Sequence, residues 1–133
     1  MSFTEDIHVA PGKATFTQSN KGYTVVLNYK PANKGDFFIR AKLKNLAGEL
    51  HSYDAIQFHF HAPSEHTVGG KHSDLELHIV CARTDGVTTG RYLAVLGFMF
   101  NEDDSAPLIN LLTVVNSKIV VGEKTDDEVE FDM

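Results

Sequence analysis

The sequence lacks several features that would assign it to a particular class of protein. Cys81 is its only cysteine, so an intramolecular disulfide, and with it a disulfide-stapled scaffold, is excluded. There is no run of roughly 18 apolar residues, and the N-terminal MSFTEDIHVAPG has no basic segment followed by an apolar one. We therefore expect no membrane insertion. The chain is expected to be soluble, in the cytoplasm or, with a signal sequence removed, outside the cell.

Positive charge is also scarce. Twelve Lys and Arg residues stand against 18 Asp and Glu, for a formal net charge of −6, and the basic residues are scattered along the chain. Because binding to phosphates needs a basic face, we expect no nucleic-acid partner. Much of the acidity lies near the C-terminus, where residues 120–133 are expected to form a solvated acidic tail.

A length of 133 residues fits a single hydrophobic core. Internal repeats, low-complexity tracts and linker-like segments are not found in the sequence. We therefore expect one domain that spans residues 1–133.

Alternation of apolar and polar residues dominates the chain and predicts β-strands. Short turns rich in glycine, asparagine and proline separate these segments, which favours a mainly β fold with a largely antiparallel sheet. The predicted strands are Tyr23–Tyr29, Asp36–Leu43, Ala55–His61, Leu75–Ala82 and Arg91–Phe100.

The pattern changes to helical spacing after residue 104. Ser105 can cap a helix and Pro107 is tolerated in its first turn, while leucine and valine then recur every three to four residues. One helix is predicted from Ser105 to about Ser117.

Histidines recur on one face of the predicted strand Ala55–His61. Because successive side chains alternate across a strand, Gln57, His59 and His61 share a face. The apolar side chains between them are expected on the core face: Ile56, Phe58 and Phe60.

The predicted strand Leu75–Ala82 repeats this arrangement, with Glu76 and His78 on one face. If the glycines 69–70 form the tip of a two-residue hairpin, His61 lies directly opposite His78. Three imidazoles would then converge, within reach of one ion at Zn–N distances of about 2.0–2.1 Å.

Two polar residues bear on this interpretation. A metal-bound histidine normally donates its second N–H to an oxygen, and Gln57 and Glu76 each precede a histidine by two positions on its own face. Histidine pairs at this spacing are also common on solvent-facing strands, so both interpretations stay open here. The histidines without such a setting are expected at the surface: His8, His51 and His72.

The segment Gln57–Val80, QFHFHAPSEHTVGGKHSDLELHIV, resembles the α-class carbonic anhydrases. Their Gln-Phe-His-Phe-His, Ser-Glu-His-Thr-Val and Glu-Leu-His elements all occur in order. Ser19–Tyr29 is similar to the family's Asn-Gly-His strand, and Tyr92–Phe100 is similar to its Ala-Val-Leu-Gly strand. The resemblance covers about residues 19–116.

This resemblance implies a central, largely antiparallel carbonic-anhydrase sheet with one or two peripheral helices. It also implies a lyase that uses Zn²⁺ to hydrate carbon dioxide reversibly to bicarbonate and a proton. The implied site comprises the zinc ligands His59, His61 and His78, their supporting residues Gln57 and Glu76, the apolar wall Val80 and Val95 beside carbon dioxide, and a buried structural histidine, His66.

The chain also departs from the family pattern. Tyr23 stands where fast members carry a shuttle histidine, which makes it a weak proton-shuttle candidate. Glu65 resembles the glutamate that accepts a hydrogen bond from a threonine in the Ser-Leu-Thr-Thr-Pro-Pro segment, which the sequence to Met133 does not contain. The resemblance therefore leaves an alternative, a non-catalytic zinc-binding module in a larger assembly. We expect a homo-oligomer or a partner subunit to cover exposed sheet edges.

Overall fold

The structure, a computed structural model, describes residues 4–20, 25–45, 47–101 and 128–132. These ranges contain β-strands and no helix, which confirms the mainly β prediction. None of their segments is a helix long and apolar enough to cross a membrane. The predicted helix from Ser105 to Ser117 lies outside the described residues. The strands are β1 (Thr4–Val9), β2 (Lys13–Asn20), β3 (Val25–Tyr29), β4 (Ile39–Lys44), β5 (Leu50–His61), β6 (Thr67–Val68), β7 (Lys71–His72), β8 (Leu75–Arg83), β9 (Leu93–Phe100) and β10 (Glu128–Asp132).

The long strand β5 organises an antiparallel sheet of eight strands. On one side of β5 lies β8, followed by β9. On its other side, the first half of β5 pairs with β4, which leads to β1, and the second half pairs with β3, which leads to β2 and β10. The short strands β6 and β7 form a separate small hairpin between β5 and β8.

The core lies on one face of this sheet, where a row of cross-strand neighbours runs through four strands. Leu27 of β3 lies opposite Phe58 of β5, Phe58 opposite Ile79 of β8, and Ile79 opposite Leu96 of β9. All four are at most 8 % exposed. The adjacent row, on the opposite face, contains Val26, His59, His78 and Gly97 in the same strands. Burial of the first row therefore fixes the direction of the histidines in the second.

Ile56 departs from its expected position on the core face. Ala55 lies opposite Cys81 and Gln57 lies opposite Val80, so β5 carries one extra residue between these pairs. Such a bulge interrupts the alternation of side chains. Ala55 and Phe58 are buried, whereas Ile56 is 45 % exposed.

The expectation that residues 120–133 form an acidic tail is wrong for residues 128–132. Residues 128–132 form β10, which pairs along its whole length with β2. In the sequence Val129 and Phe131 alternate with carboxylates, a period of two that suits a strand with one apolar face. The register places Asp132 opposite Lys13.

Candidate metal centre

Three imidazoles meet on the face opposite the core. His59 of β5 lies opposite His78 of β8, and His61 follows two residues later on the same face. The ring centroids are 4.9 Å apart for His59 and His61, 5.3 Å for His59 and His78, and 4.8 Å for His61 and His78. One ring nitrogen from each lies within 4.8 Å of the other two, an arrangement that can hold one metal ion.

The predicted register is wrong by two residues, because His61 lies opposite Glu76 rather than His78. The small hairpin does turn at residues 69–70, with Val68 opposite Lys71. Five residues, 62–66, connect β5 to this hairpin, but only residues 73–74 connect it to β8. Because these two connections differ in length, the register of β5 with β8 is shifted by two residues from the register of the small hairpin. An even shift keeps every side chain on its face, so the three histidines still meet.

Contacts with neighbouring oxygens show which ring nitrogen keeps an available lone pair in two of these histidines. The His59 Nδ1–H donates to Gln57 Oε1 at 2.9 Å, which leaves the Nε2 lone pair available. The His78 Nε2 lies 3.3 Å from Glu76 Oε1 and donates to it, which leaves the Nδ1 lone pair available. Gln57 and Glu76 thus each contact the histidine that follows them by two positions, the relation expected from the sequence.

Glu76 is the most constrained carboxylate of the site, with 2 % exposure. Its Oε2 accepts the backbone N–H groups of Glu65 at 2.6 Å and His66 at 3.0 Å, and its Oε1 accepts His66 Nδ1 at 2.6 Å besides the His78 ring. Burial opposes ionisation, but these hydrogen bonds outweigh it and lower the pKa of Glu76 to about 2. The carboxylate is therefore a fixed negative charge at neutral pH.

Glu65 brings a second carboxylate to the histidines from the solvent side, since its side chain is 55 % exposed. Its Oε1 lies 3.5 Å from His61 Nδ1 and its Oε2 lies 3.9 Å from His78 Nδ1. Desolvation lowers the pKa of His59, and the nearby His61 and His78 lower it further, against a smaller opposing effect of Glu65. A lowered pKa favours the neutral imidazole, which is the form that binds metals.

The expectation that His66 is buried is wrong, because its side chain is 71 % exposed. His66 lies in the connection between β5 and the small hairpin, outside the sheet. Its Nδ1 hydrogen-bonds Glu76, and its ring lies in a T-shaped arrangement beside the His78 ring, with the centroids 6.1 Å apart. It therefore has a structural contact without burial.

Ser64 is a residue that the sequence analysis missed. It is 2 % exposed and closes the base of the small hairpin: its N–H donates to Ser73 O at 2.9 Å, its hydroxyl donates to His66 O at 2.7 Å, and it accepts Ser73 N–H at 2.8 Å. His72, expected at the surface, is exposed but donates through Nδ1 to Ser64 O at 2.7 Å. These bonds hold the connection that carries Glu65 in place beside the histidines. A serine directly after a proline, at the start of a turn, was the available signal.

The two valines expected beside the metal lie opposite one another in β8 and β9, two positions from the pair formed by His78 and Gly97. Val80 is partly buried and Val95 is 56 % exposed. Among the described residues, this side of the histidine cluster thus ends in an exposed apolar side chain, that of Val95. Tyr23 lies outside the described residues.

The chemistry of the donors fits Zn²⁺, which favours tetrahedral sites with imidazole ligands. A second group, His66, Glu76 and His78, also has ligand atoms within 4.8 Å of one another. Its carboxylate, however, already accepts four N–H donors. The three histidines are thus the better metal site among the described residues.

Comparisons with known proteins agree with this geometry. The sequence model of the eukaryotic-type carbonic anhydrases matches residues 4–132. The chain is 33 % identical to alpha carbonic anhydrase 8 of Arabidopsis thaliana, in a match that covers 85 % of this chain and 26 % of that protein. It is 32 % identical to alpha carbonic anhydrase 4 of the same plant, in a match that covers 91 % of this chain and 41 % of that protein. Carbonic anhydrase Cah3 of Chlamydomonas reinhardtii, solved in complex with acetazolamide, superposes with a TM-score of 0.60 at 27 % identity, over 96 % of this chain and 47 % of that one. The chain thus spans between a quarter and a half of these relatives.

Proposed function

The chain belongs to the eukaryotic-type carbonic anhydrase family, and we propose from this premise that it binds zinc through His59, His61 and His78 and hydrates carbon dioxide reversibly. One observation carries the proposal. The contacts of Gln57 and Glu76 occupy one nitrogen of His59 and of His78 and leave the other free, and one ring nitrogen from each of the three histidines lies within 4.8 Å of the other two. A histidine that binds a metal through one ring nitrogen usually donates the N–H of its other ring nitrogen to an oxygen acceptor in this way.

When bound, zinc held by three neutral imidazoles supplies a Lewis acid that makes water nucleophilic near neutral pH. The reaction adds one water to carbon dioxide and yields bicarbonate and one proton, without a redox change. The chain's part is to keep the histidines neutral and oriented. Glu76 contributes most to this orientation, because its charge is fixed at neutral pH and its position is set by four donors.

Val80 and Val95 are proposed to form the apolar surface against which carbon dioxide rests, because they lie beside the histidines and offer no competing hydrogen bond. Glu65 is proposed to act beside them as an acceptor at the solvent-facing side of the site. Tyr23 remains the candidate for proton transfer to solvent. A phenol with a pKa near 10 transfers protons slowly at pH 7, so we expect turnover to be limited by this step.

The exposure of Val95 favours a second candidate function. A carbon dioxide surface that is 56 % exposed leaves water free to enter the site, and exclusion of water strengthens electrostatic catalysis. The alternative is a zinc-binding module that does not turn over carbon dioxide and contributes its metal-stabilised sheet to an assembly.

The experiment that distinguishes the two is stopped-flow carbon dioxide hydration by the zinc-loaded chain, with bound zinc measured in the same samples. His78→Ala is the ligand variant, and His8→Ala is the matched control at an exposed histidine away from the site. Acetazolamide, which is bound in the related Cah3 structure, tests for an open position on the metal.

An active enzyme loses its rate in His78→Ala and in the presence of acetazolamide, and keeps it in His8→Ala. One equivalent of zinc with no rate above background contradicts the proposed activity and supports the zinc-binding module. Zinc that stays bound in His78→Ala contradicts the ligand assignment itself.

A further inference from the structure

Glu76, the carboxylate beside the ring of His78, is held by a segment that lies outside the main sheet. Its Oε2 accepts the backbone N–H groups of Glu65 at 2.6 Å and of His66 at 3.0 Å. These two groups are consecutive in the connection between β5 and the small hairpin. Both can point at one oxygen only while the connection keeps its conformation, so the position of Glu76 depends on what fixes the connection.

Ser64, the residue directly before these two N–H groups, is 2 % exposed and provides that restraint. Its hydroxyl donates to His66 O at 2.7 Å and accepts the Ser73 N–H at 2.8 Å. Its own N–H donates to Ser73 O at 2.9 Å, and its carbonyl oxygen accepts His72 Nδ1–H at 2.7 Å. Every polar group of Ser64 therefore has a partner, and a fully satisfied buried network of this kind is rigid.

The hydroxyl of Ser64 acts on the peptide unit that matters for Glu76. His66 is held at both of its backbone polar groups, since its C=O accepts the Ser64 hydroxyl and its N–H donates to Glu76. Without the hydroxyl, the C=O of His66 and the N–H of Ser73 both lose this partner. The connection can then rotate, and its two N–H groups no longer converge on the carboxylate.

We propose that Ser64 is a positioning residue of the metal centre, which sets the place of Glu76 and, through Glu76, the orientation of the His78 ring. The contact that carries the second step joins Glu76 Oε1 and His78 Nε2 at 3.3 Å. The inference rests on the proposed function for the metal itself. Its first step, from Ser64 to Glu76, requires no zinc.

His59 supplies an internal comparison within the same site. Its Nδ1 is held at 2.9 Å by Gln57 Oε1, which belongs to the same strand, β5. No residue of the connection takes part in that contact. Loss of the Ser64 hydroxyl should therefore change the surroundings of His78 and leave those of His59 as they are.

The test compares Ser64→Ala with Ser73→Ala, which removes the same hydroxyl group nine residues later. Ser73 contributes its backbone N–H and C=O to the network, and both remain in the variant. Ile39→Val, at a buried position of β4, controls for a loss of stability alone. β4 pairs with the first half of β5, whereas the histidines lie in the second half.

The first readout is hydrogen exchange in the zinc-free chain. In Ser64→Ala we expect exchange at the amides of Glu65 and His66 to accelerate about tenfold or more, because a lost buried hydrogen bond lowers the free energy of local opening by about that factor. Both control variants should leave these two amides no faster than the amides of the core strands. The ring ¹⁵N NMR signals should shift for His78 and not for His59.

His72→Ala is a milder second variant, because it removes only the exposed donor to Ser64 O and keeps the hydroxyl. It should accelerate exchange at the amides of Glu65 and His66 by a smaller factor than Ser64→Ala. It also gives the answer if Ser64→Ala does not fold.

The second readout is zinc affinity, measured by competition at a temperature where every variant is folded. Replacing a residue that contacts a metal ligand typically weakens metal binding about 10–100-fold, and Ser64 acts through one further contact, so we expect a loss of roughly threefold to tenfold in Ser64→Ala. Ser73→Ala and Ile39→Val should bind zinc as the unsubstituted chain does. A residue with a merely structural role would not change this affinity in a folded chain.

Two results would overturn the proposal. One is unchanged exchange at the amides of Glu65 and His66 in Ser64→Ala, or in His72→Ala if Ser64→Ala does not fold. The other is equal zinc affinity in the Ser64 and Ser73 variants. An unsubstituted chain that binds no zinc contradicts the proposed function instead, and the exchange rates and His78 signals of the zinc-free chain then decide whether Ser64 positions Glu76.

Discussion

Replacing Glu76 by glutamine is the most informative single perturbation of the site, because the two side chains have nearly the same shape. The carboxylate accepts two N–H groups on each oxygen. A glutamine amide offers one oxygen and one NH₂ group, so in either orientation two of the four donors face another donor. At about 1.5–3 kcal/mol for each hydrogen bond to a charged acceptor, the loss is about 3–6 kcal/mol of the free energy of unfolding.

Urea denaturation of the metal-free chain, in the presence of a chelator, measures this loss separately from zinc binding. With a denaturant dependence of about 1–3 kcal/mol per molar urea, the midpoint should fall by roughly 1–6 M. Glu65→Gln is the matched control, since that side chain is 55 % exposed and should change stability by no more than about 0.5 kcal/mol. Equal midpoints for Glu76→Gln and the unsubstituted chain would refute the reasoning about Glu76.

Three further predictions concern the core. Cys81 should resist alkylation at pH 8 in the folded chain and react fully in urea, because burial raises its pKa from 9.0 to about 12; by the same linkage, stability should be lost as the pH rises from 9 towards 12. Gln18→Met should raise the free energy of unfolding by about 1–3 kcal/mol, because Gln18 is fully buried and neither of its amide atoms has a hydrogen-bond partner among the described residues; a loss of stability in thermal denaturation would contradict this. Phe16→Ala should cost about 3–5 kcal/mol in urea denaturation, because its fully buried ring contacts three other aromatic rings; a cost below about 1 kcal/mol would show that the core does not depend on it.

Alternation along the strands was sufficient to predict the mainly β fold and the common face of His59, His61 and His78. That prediction survived an error of two residues in the register, because only an odd shift moves side chains to the other face. The register itself depends on the different lengths of the two connections to the small hairpin. The hairpin turn at residues 69–70 gives no information about those lengths.

Other features depend on contacts that no local pattern encodes. The bulge at Ile56 is visible only from the pairing of β5 with β8. The exposure of His66 follows from the position of its connection outside the sheet, and the pairing of β10 with β2 joins segments more than 100 residues apart. The positions of Gln57 and Glu76 before their histidines were evident from the sequence, whereas the two backbone N–H groups that fix Glu76 were not.

The measurement that tests the central claim most directly is a zinc titration of the chelator-treated chain against a competing chromophoric chelator. We expect one zinc per chain, an affinity reduced at least about 100-fold in each of His59→Ala, His61→Ala and His78→Ala, and no change in His8→Ala. Zinc binding that survives any one of the three triad substitutions unchanged would contradict the assignment of these histidines as the metal centre.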